Sequence, residues 1–268
     1  MKRTTTLTLF VFSATLLLAI SQASAQMVNI AISQDTSLYS HNAAEILDMN
    51  MGAYTSNANG VTHPVLGFDN RDASTRDHVN AILEASSIVS DLASAGVSSG
   101  SQIASADLHL FRVQDESFDR TGRAFRVTTG GWVEGTTVWD PQAGSTSFNS
   151  VRHGDLAWNT PGGDYDATEL GSWTTTAGDV DGTEYTVSIT GAVRHWIDNP
   201  SENYGIILVQ DGYSGDSTSF YSSSEDTSVA GLVPYISIAI PEPSSMMLIM
   251  VGLVGLGFTR SWIRRRRS

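Results

Sequence analysis

Apolar residues in this chain fall at every second position in short runs, and that period decides what it can fold into. Val28, Ile30 and Ile32 alternate with Asn29, Ala31 and Ser33, and Leu108 and Leu110 alternate with Asp107 and His109. Tyr185, Val187 and Ile189 alternate with Thr186, Ser188 and Thr190, and Ile236, Ile238 and Ile240 close the series. A strand points successive side chains to opposite faces, so each run buries one face of a sheet. Ile206 to Val209 are apolar at four consecutive positions, the mark of a central strand covered on both sides. Gly, Asn, Asp and Ser punctuate the runs, and no regular strand–helix–strand alternation is visible. The expected class is all-β, an antiparallel β-sandwich with short helical insertions. One insertion is expected where Val79, Ile82, Leu83, Val89 and Leu92 fall at helical spacing, with Ser74 or Thr75 as N-cap and Gly96 as the stop. A second, short helix is expected over residues 192–197, with Val193, Trp196 and Ile197 toward one side.

The two ends read differently. Lys2 and Arg3 precede a mostly apolar stretch, Leu7 to Ile20, and Ala23-Ser24-Ala25 supplies small residues for cleavage. Residues 1–25 are a secretory signal peptide, with removal expected between Ala25 and Gln26. At the other end, Pro241-Glu242-Pro243 leads into an almost charge-free stretch and then Arg264, Arg265, Arg266 and Arg267. The apolar core from Met246 to Phe258 approaches the ~20 residues of a membrane span when counted on through Trp262 and Ile263. Arg260 snorkels in that arrangement, and the arginine cluster stays on the cytoplasmic side. One C-terminal transmembrane helix is therefore expected. The order of tripeptide, span and cluster resembles the PEP-CTERM sorting tail of bacterial proteins handled by an exosortase. That resemblance implies export and transient or retained anchoring in the inner membrane. It also implies processing near Pro241-Glu242-Pro243 by an exosortase-type enzyme, then a place at the cell surface or in the extracellular matrix. The divisions are 1–25, a body at 26–240 and a tail at 241–268.

The body holds eight arginines and no lysine against 27 carboxylates, a net of −19. Such a surface excludes nucleic acid as a partner and favours divalent cations. A polyanionic glycan would need calcium or local arginines as a bridge. Cysteine is absent, so disulfides contribute nothing although the exported compartment permits them.

Several body segments, in order, resemble the DNRLRE (disaggregatase-related) domain, a jelly-roll-like sandwich close to a carbohydrate-binding module family. Val65-Leu66-Gly67-Phe68-Asp69 is similar to its early strand, and Ile103 to Leu110 to its I-x-S-A-x-L-x-L strand. Trp132-Val133-Glu134-Gly135-Thr136-Thr137-Val138-Trp139 resembles its W-x-E-G segment, with Val138 where Thr is usual. Val187 to Thr190 with Val193 and Trp196, then Asn203 to Ile206, then Phe220 to Glu225, follow in the expected order. Ser224 stands where Arg is usual, and the segment around Ile82 resembles an insertion. The resemblance implies a non-catalytic glycan-binding or matrix module.

Five tryptophans lie in the body, at 132, 139, 158, 173 and 196. Trp132, Trp139 and Trp196 sit in strand- or helix-like motifs and are expected to be structural. Trp158 and Trp173 lie among Gly, Asn and Thr and, with Tyr165 and Tyr213, are the expected carbohydrate platforms, since sugar C–H faces stack on aromatic rings. Two acidic loops offer oxygen ligands for calcium: Asp164, Asp166 and Glu169 in one, Asp179, Asp181 and Glu184 in the other. The same carboxylates in Gly-Asp loops are also ordinary turn chemistry. No nucleophile elbow, phosphate loop or paired-histidine metal motif is present, and no catalytic residue is expected. The reading is an exported, non-catalytic surface protein that contacts polysaccharide. A polysaccharide lyase or hydrolase, and a purely structural calcium-rigidified protein, stand as its rivals.

Overall fold

The computed structural model describes residues 25–41, 49–50, 55–58, 61–70, 77–114, 119–137, 140–210, 219–228 and 232–241. In chain order the elements are β1 (Gln26–Ala31), β2 (Gln34–His41), β3 (Met49–Asn50), β4 (Thr55–Ala58), β5 (Val61–Asn70) and β6 (Asp77–Glu84). Helix α1 (Ile88–Ser94) and a 3-10 turn (Gly100–Gln102) lead to β7 (Ser105–Gln114), β8 (Arg120–Arg126), β9 (Ser150–Arg152) and β10 (Leu156–Ala157). Then come β11 (Gly171–Thr175), β12 (Glu184–Ser188), α2 (Thr190–Asp198) and a second 3-10 turn (Pro200–Glu202). β13 (Ile206–Gln210), β14 (Ser219–Ser222) and β15 (Tyr235–Ile240) close the order. Residues 28–238 form one compact unit.

The protein is mostly β, and its sheets are antiparallel. Pairing runs β1-β15-β7-β14-β5-β6-β13-β8-β11, with β12 joining β7, β2 joining β6, β3 joining β2 and β4 joining β5. β5 changes neighbour along its length. Its first residues pair with β4, Val65 to Phe68 with β14, and Asp69 and Asn70 with β6. Strands that switch partners in this way turn the corners of sandwich architectures.

The alternation reads out directly where one face is covered. In β12 Tyr185 and Val187 are buried between exposed neighbours, and in β15 Ile236, Ile238 and Ile240 are buried at every second place. The four-residue apolar run became β13, hydrogen-bonded between β6 and β8, with Ile206, Ile207 and Leu208 all buried. Leu38, Ile82, Val127, Trp132, Phe148, Val151, Trp158 and Ile207 pack as one core cluster.

The expected helix over Val79 to Leu92 is corrected. Residues 77–84 are strand β6, and α1 begins only at Ile88. β6 lies against β2, β5 and β13, and Val79, Ala81, Ile82 and Leu83 are all buried. A strand with apolar residues toward both faces mimics helical spacing, and tertiary pairing decides between them. Gly96, at φ +86°, follows the helix end as expected. The second expected helix is α2, with Ala192, Val193, Trp196 and Ile197 buried. Among the described residues no helix is long and apolar enough to cross a membrane. The expected span lies outside them, as do the N-cap residues Ser74 and Thr75.

Gly205 enters β13 at φ +91°, and a Cβ there would sit 2.2 Å from the Leu83 carbonyl oxygen. Gly205→Ala is expected to cost about 1–3 kcal/mol of unfolding free energy through backbone strain alone, measured by urea denaturation.

Candidate functional site

The expected aromatic platforms are inside the protein. Trp158 is 5 % exposed, lies in the core cluster and donates its indole N–H to the Ser147 carbonyl at 2.9 Å. Trp173, on β11, is 6 % exposed and donates to the Tyr221 hydroxyl at 3.1 Å. Its ring meets Tyr221 edge-on and lies so close over Gly122 that a Cβ there would come within 2.3 Å. The surface role expected of these two is corrected: β11 pairs with β8 and turns Trp173 inward. Tyr165 is 38 % exposed, its ring 4.9 Å from that of Phe125. Tyr213 lies outside the described residues. Trp132 is structural, donating to the Tyr204 carbonyl, and Trp139 lies outside the described residues.

Protein donors already engage the two acidic loops. Asp164 Oδ2 accepts from the Asn159 backbone N–H (3.0 Å), the Asn159 amide (2.9 Å) and the Thr129 hydroxyl (2.9 Å), while Oδ1 accepts from the Thr160 N–H (2.8 Å). Burial pushes this carboxyl up, but those donors outweigh burial and hold it below the ordinary value. Asp166 is held down by the Thr168 backbone N–H and by Arg126, 3.1 Å away. Glu169 pairs with Arg123 at 3.1 Å. Asp179 accepts from Tyr185 (2.6 Å) and the Thr176 N–H (2.7 Å), which lower its pKa. Glu184 pairs with His109, and Asp181 is engaged too. Each loop fastens a turn by the alternative turn chemistry, and the structure does not gather either set around one point. Asp164→Ala is expected to lose about 1–2 kcal/mol by removing the acceptor of four part-buried hydrogen bonds, read as a fall in thermal midpoint with unchanged calcium response.

The structure gathers three other carboxylates. Among the described residues Asp35, Glu134 and Glu225 are the group whose ligand atoms lie within 4.8 Å of one another. Asp35 sits on β2, opposite Leu83 of β6, and is 1 % exposed. Glu134 lies in the irregular segment after β8, which is tied down by the Thr146 N–H donating to the Val133 carbonyl. Glu225 is in the turn after β14, where the Ser223 N–H donates to Pro64 and the Asp226 N–H to Ser223. The Asp35 backbone N–H donates to Glu134 Oε2 at 3.2 Å, and the Ser224 N–H donates to Asp35 Oδ2 at 2.7 Å. The hydroxyls of Ser223 and Ser224 both donate to Glu225.

Among the described residues no arginine or histidine pairs with these three carboxylates. Burial first, and then the charge of Glu225, raise Asp35 to about 7 from an ordinary 3.8. Burial, then Asp35 and Glu225, raise Glu134 to about 8 from 4.5. Oxygens on opposite sides of a calcium ion at ~2.3–2.6 Å stand ~4.6–5.2 Å apart, so the observed spread fits one ion's coordination sphere. The set runs from buried Asp35 through half-buried Glu134 to exposed Glu225, which leaves one side open to water.

No local pattern in the sequence marks this trio as a unit. Glu134 and Glu225 both stood in segments that carry the sandwich resemblance, but 99 residues separate Asp35 from Glu134 and no spacing rule joins them.

Residues 239–267 match the PEP-CTERM protein-sorting motif. The match covers Pro241, Glu242, Pro243 and the cluster Arg264–Arg267, all beyond Pro241 lying outside the described residues. The tail marks an exported surface protein recognised by an exosortase-type processing enzyme and membrane-associated before processing. No curated protein matches the chain.

Proposed function

We propose that the exported body is a non-catalytic surface domain whose sandwich is fastened by a divalent cation, calcium by its oxygen ligands, at Asp35, Glu134 and Glu225. The observation that carries this is a convergence of three carboxylates from three distant segments, with no side-chain cation paired to them among the described residues. In the DNRLRE family that the body resembles, arginine precedes this glutamate. Ser224 stands there in this chain, so among the described residues the charge is left to protons or an ion from solution. Bound there, calcium would tie β2, the segment after β8 and the turn after β14 together. Its open side would also let an anionic body hold an anionic polysaccharide, with Tyr165 as the exposed aromatic among the described sugar candidates.

Raised carboxyl pKa values also occur in hydrolases, which is the observation favouring an enzyme. Against it, Asp35 is 1 % exposed and the three groups crowd within 4.8 Å, whereas glycosidase pairs stand ~5–9.5 Å apart to admit a sugar.

Glu134→Gln tests the proposal because the two charge states have opposite consequences. In chelator at pH 8 the variant is expected to melt above the parent protein, since it removes repulsion, and to show no calcium response. A variant that melts lower in chelator, or keeps the calcium response, contradicts the proposal. Polysaccharide from the producing cells is expected to retain the protein with calcium and release it with chelator.

A further inference from the structure

Residues paired across an antiparallel ladder point their side chains to the same face of the sheet. Asp35, Leu83, Ile206 and Arg126 are paired in one row across β2, β6, β13 and β8. Thr36, Ile82, Ile207 and Phe125 form the next row, so they point to the face opposite Asp35. Ile82 and Ile207 are sealed there by Trp132, Phe148 and Trp158. Phe125 and Val209 are only partly buried at the rim of that cluster, and Ser172, opposite Arg123 on β11, is exposed. Residues 165–170 continue alongside β8. Tyr165 bridges Val127, the Asp166 N–H donates to the Arg126 carbonyl, and the Leu170 N–H donates to that of Ala124. They set the Tyr165 ring 4.9 Å from that of Phe125 and bring Glu169 to 3.1 Å from Arg123.

An aromatic pair with an exposed ring thus lies beside a paired donor and acceptor. A pyranose carries the matching groups, an apolar C–H face and hydroxyls that both donate and accept. Charge selects among sugars. Glu169 neutralises Arg123 and the body carries a net −19, so this face offers no attraction to a carboxylated or phosphorylated unit. The two side chains are 43 % and 36 % exposed, and an exposed pair stabilises little, so turning its groups to a ligand costs the fold little. We infer that this outer face of β8 is a glycan subsite for uncharged sugar units, independent of the cation site. Tyr165 and Phe125 stack on the sugar face, Arg123 donates to sugar oxygens, and Glu169 accepts from sugar hydroxyls. The inference rests on the proposed polysaccharide contact and gives it a second foothold, on the opposite face of the sheet from Asp35. One stacked sugar holds with a dissociation constant on the order of 1 mM. Retention of a whole chain through washing therefore still needs calcium, and the two contacts reinforce each other through effective concentration.

The test uses oligosaccharides from partial hydrolysis of the producing cells' polysaccharide, split by anion exchange into neutral and acidic fractions. Each fraction is titrated against the full chain by saturation-transfer NMR, in chelator and in calcium. The neutral fraction is expected to bind equally in both conditions. Tyr165→Ala and Arg123→Gln are each expected to weaken it roughly tenfold, whereas Tyr165→Phe, which keeps the stacking ring, retains it. No neutral binding in chelator, or binding that Tyr165→Ala and Arg123→Gln both keep, overturns the inference, while calcium-dependent binding of the acidic fraction still upholds the cation-bridged contact. No binding of either fraction in either condition overturns the polysaccharide contact and the inference together.

Discussion

Trp173→Ala is expected to lower the unfolding free energy by about 3–5 kcal/mol, the usual cost of emptying a buried tryptophan site. The indole fills the space over Gly122, meets Tyr221 edge-on and donates to its hydroxyl, so the variant loses packing and that hydrogen bond together. Tyr185 packs against the same Tyr221 ring, which spreads the damage from β11 to β12. Urea denaturation reads the loss as a lower midpoint at unchanged slope. A surface sugar platform would behave in the opposite way, with affinity lost and stability kept. An alanine variant that melts like the parent protein would return Trp173 to the surface role.

The second large effect is a cation- and pH-dependent stability centred on Asp35, Glu134 and Glu225. Asp35 and Glu134 are raised to about 7 and about 8, so without a cation the folded state binds protons more tightly than the unfolded chain. Their contribution is fully present below about pH 4 and is lost as pH rises through 7–8. Each unit of displacement at buried Asp35 corresponds to about 1.4 kcal/mol. Asp164, Asp166 and Asp179 act the other way. Their lowered pKa values give stability that is present above the ordinary aspartate range and lost as pH falls through the lower folded values. The chelated protein is therefore expected to have a stability maximum in mildly acidic solution, with a falling limb on each side. Calcium at a hundredfold excess over its Kd adds about 2.7 kcal/mol, roughly 5–10 °C in Tm for a domain of this size. It competes with protons for the same oxygens, so the gain is largest near pH 8 and small near pH 5. Equal calcium gains at both pH values would place the ion elsewhere.

The sequence made the architecture readable where one physical rule acted alone. In β12 and β15 one face is covered and the other is not, so period two survives into the burial pattern. β6 was illegible for the converse reason: with both faces covered, Val79, Ile82 and Leu83 fit a helix as well as a strand. Trp158 and Trp173 misled because Gly- and Thr-rich surroundings suggest exposed loops. Burial there comes from the partner strand and the core cluster, which local composition does not encode. Asp35 carried no local signal at all. It meets Glu134 and the Ser224–Glu225 turn only through long-range folding, with 189 residues between it and Ser224. The loops at Asp164 and Asp179 advertised metal chemistry, yet nearby backbone N–H groups and hydroxyls meet those carboxylates first, as they do in ordinary turns.

Isothermal titration of chelator-treated protein with calcium, at pH 6 and pH 8, in the parent chain and in Glu134→Gln, decides whether Asp35, Glu134 and Glu225 hold a cation. One saturable site is expected in the parent protein, tighter at pH 8 with protons released on binding, and no such site in the variant. No saturable heat in the parent protein, or equal binding by parent and variant, would contradict it.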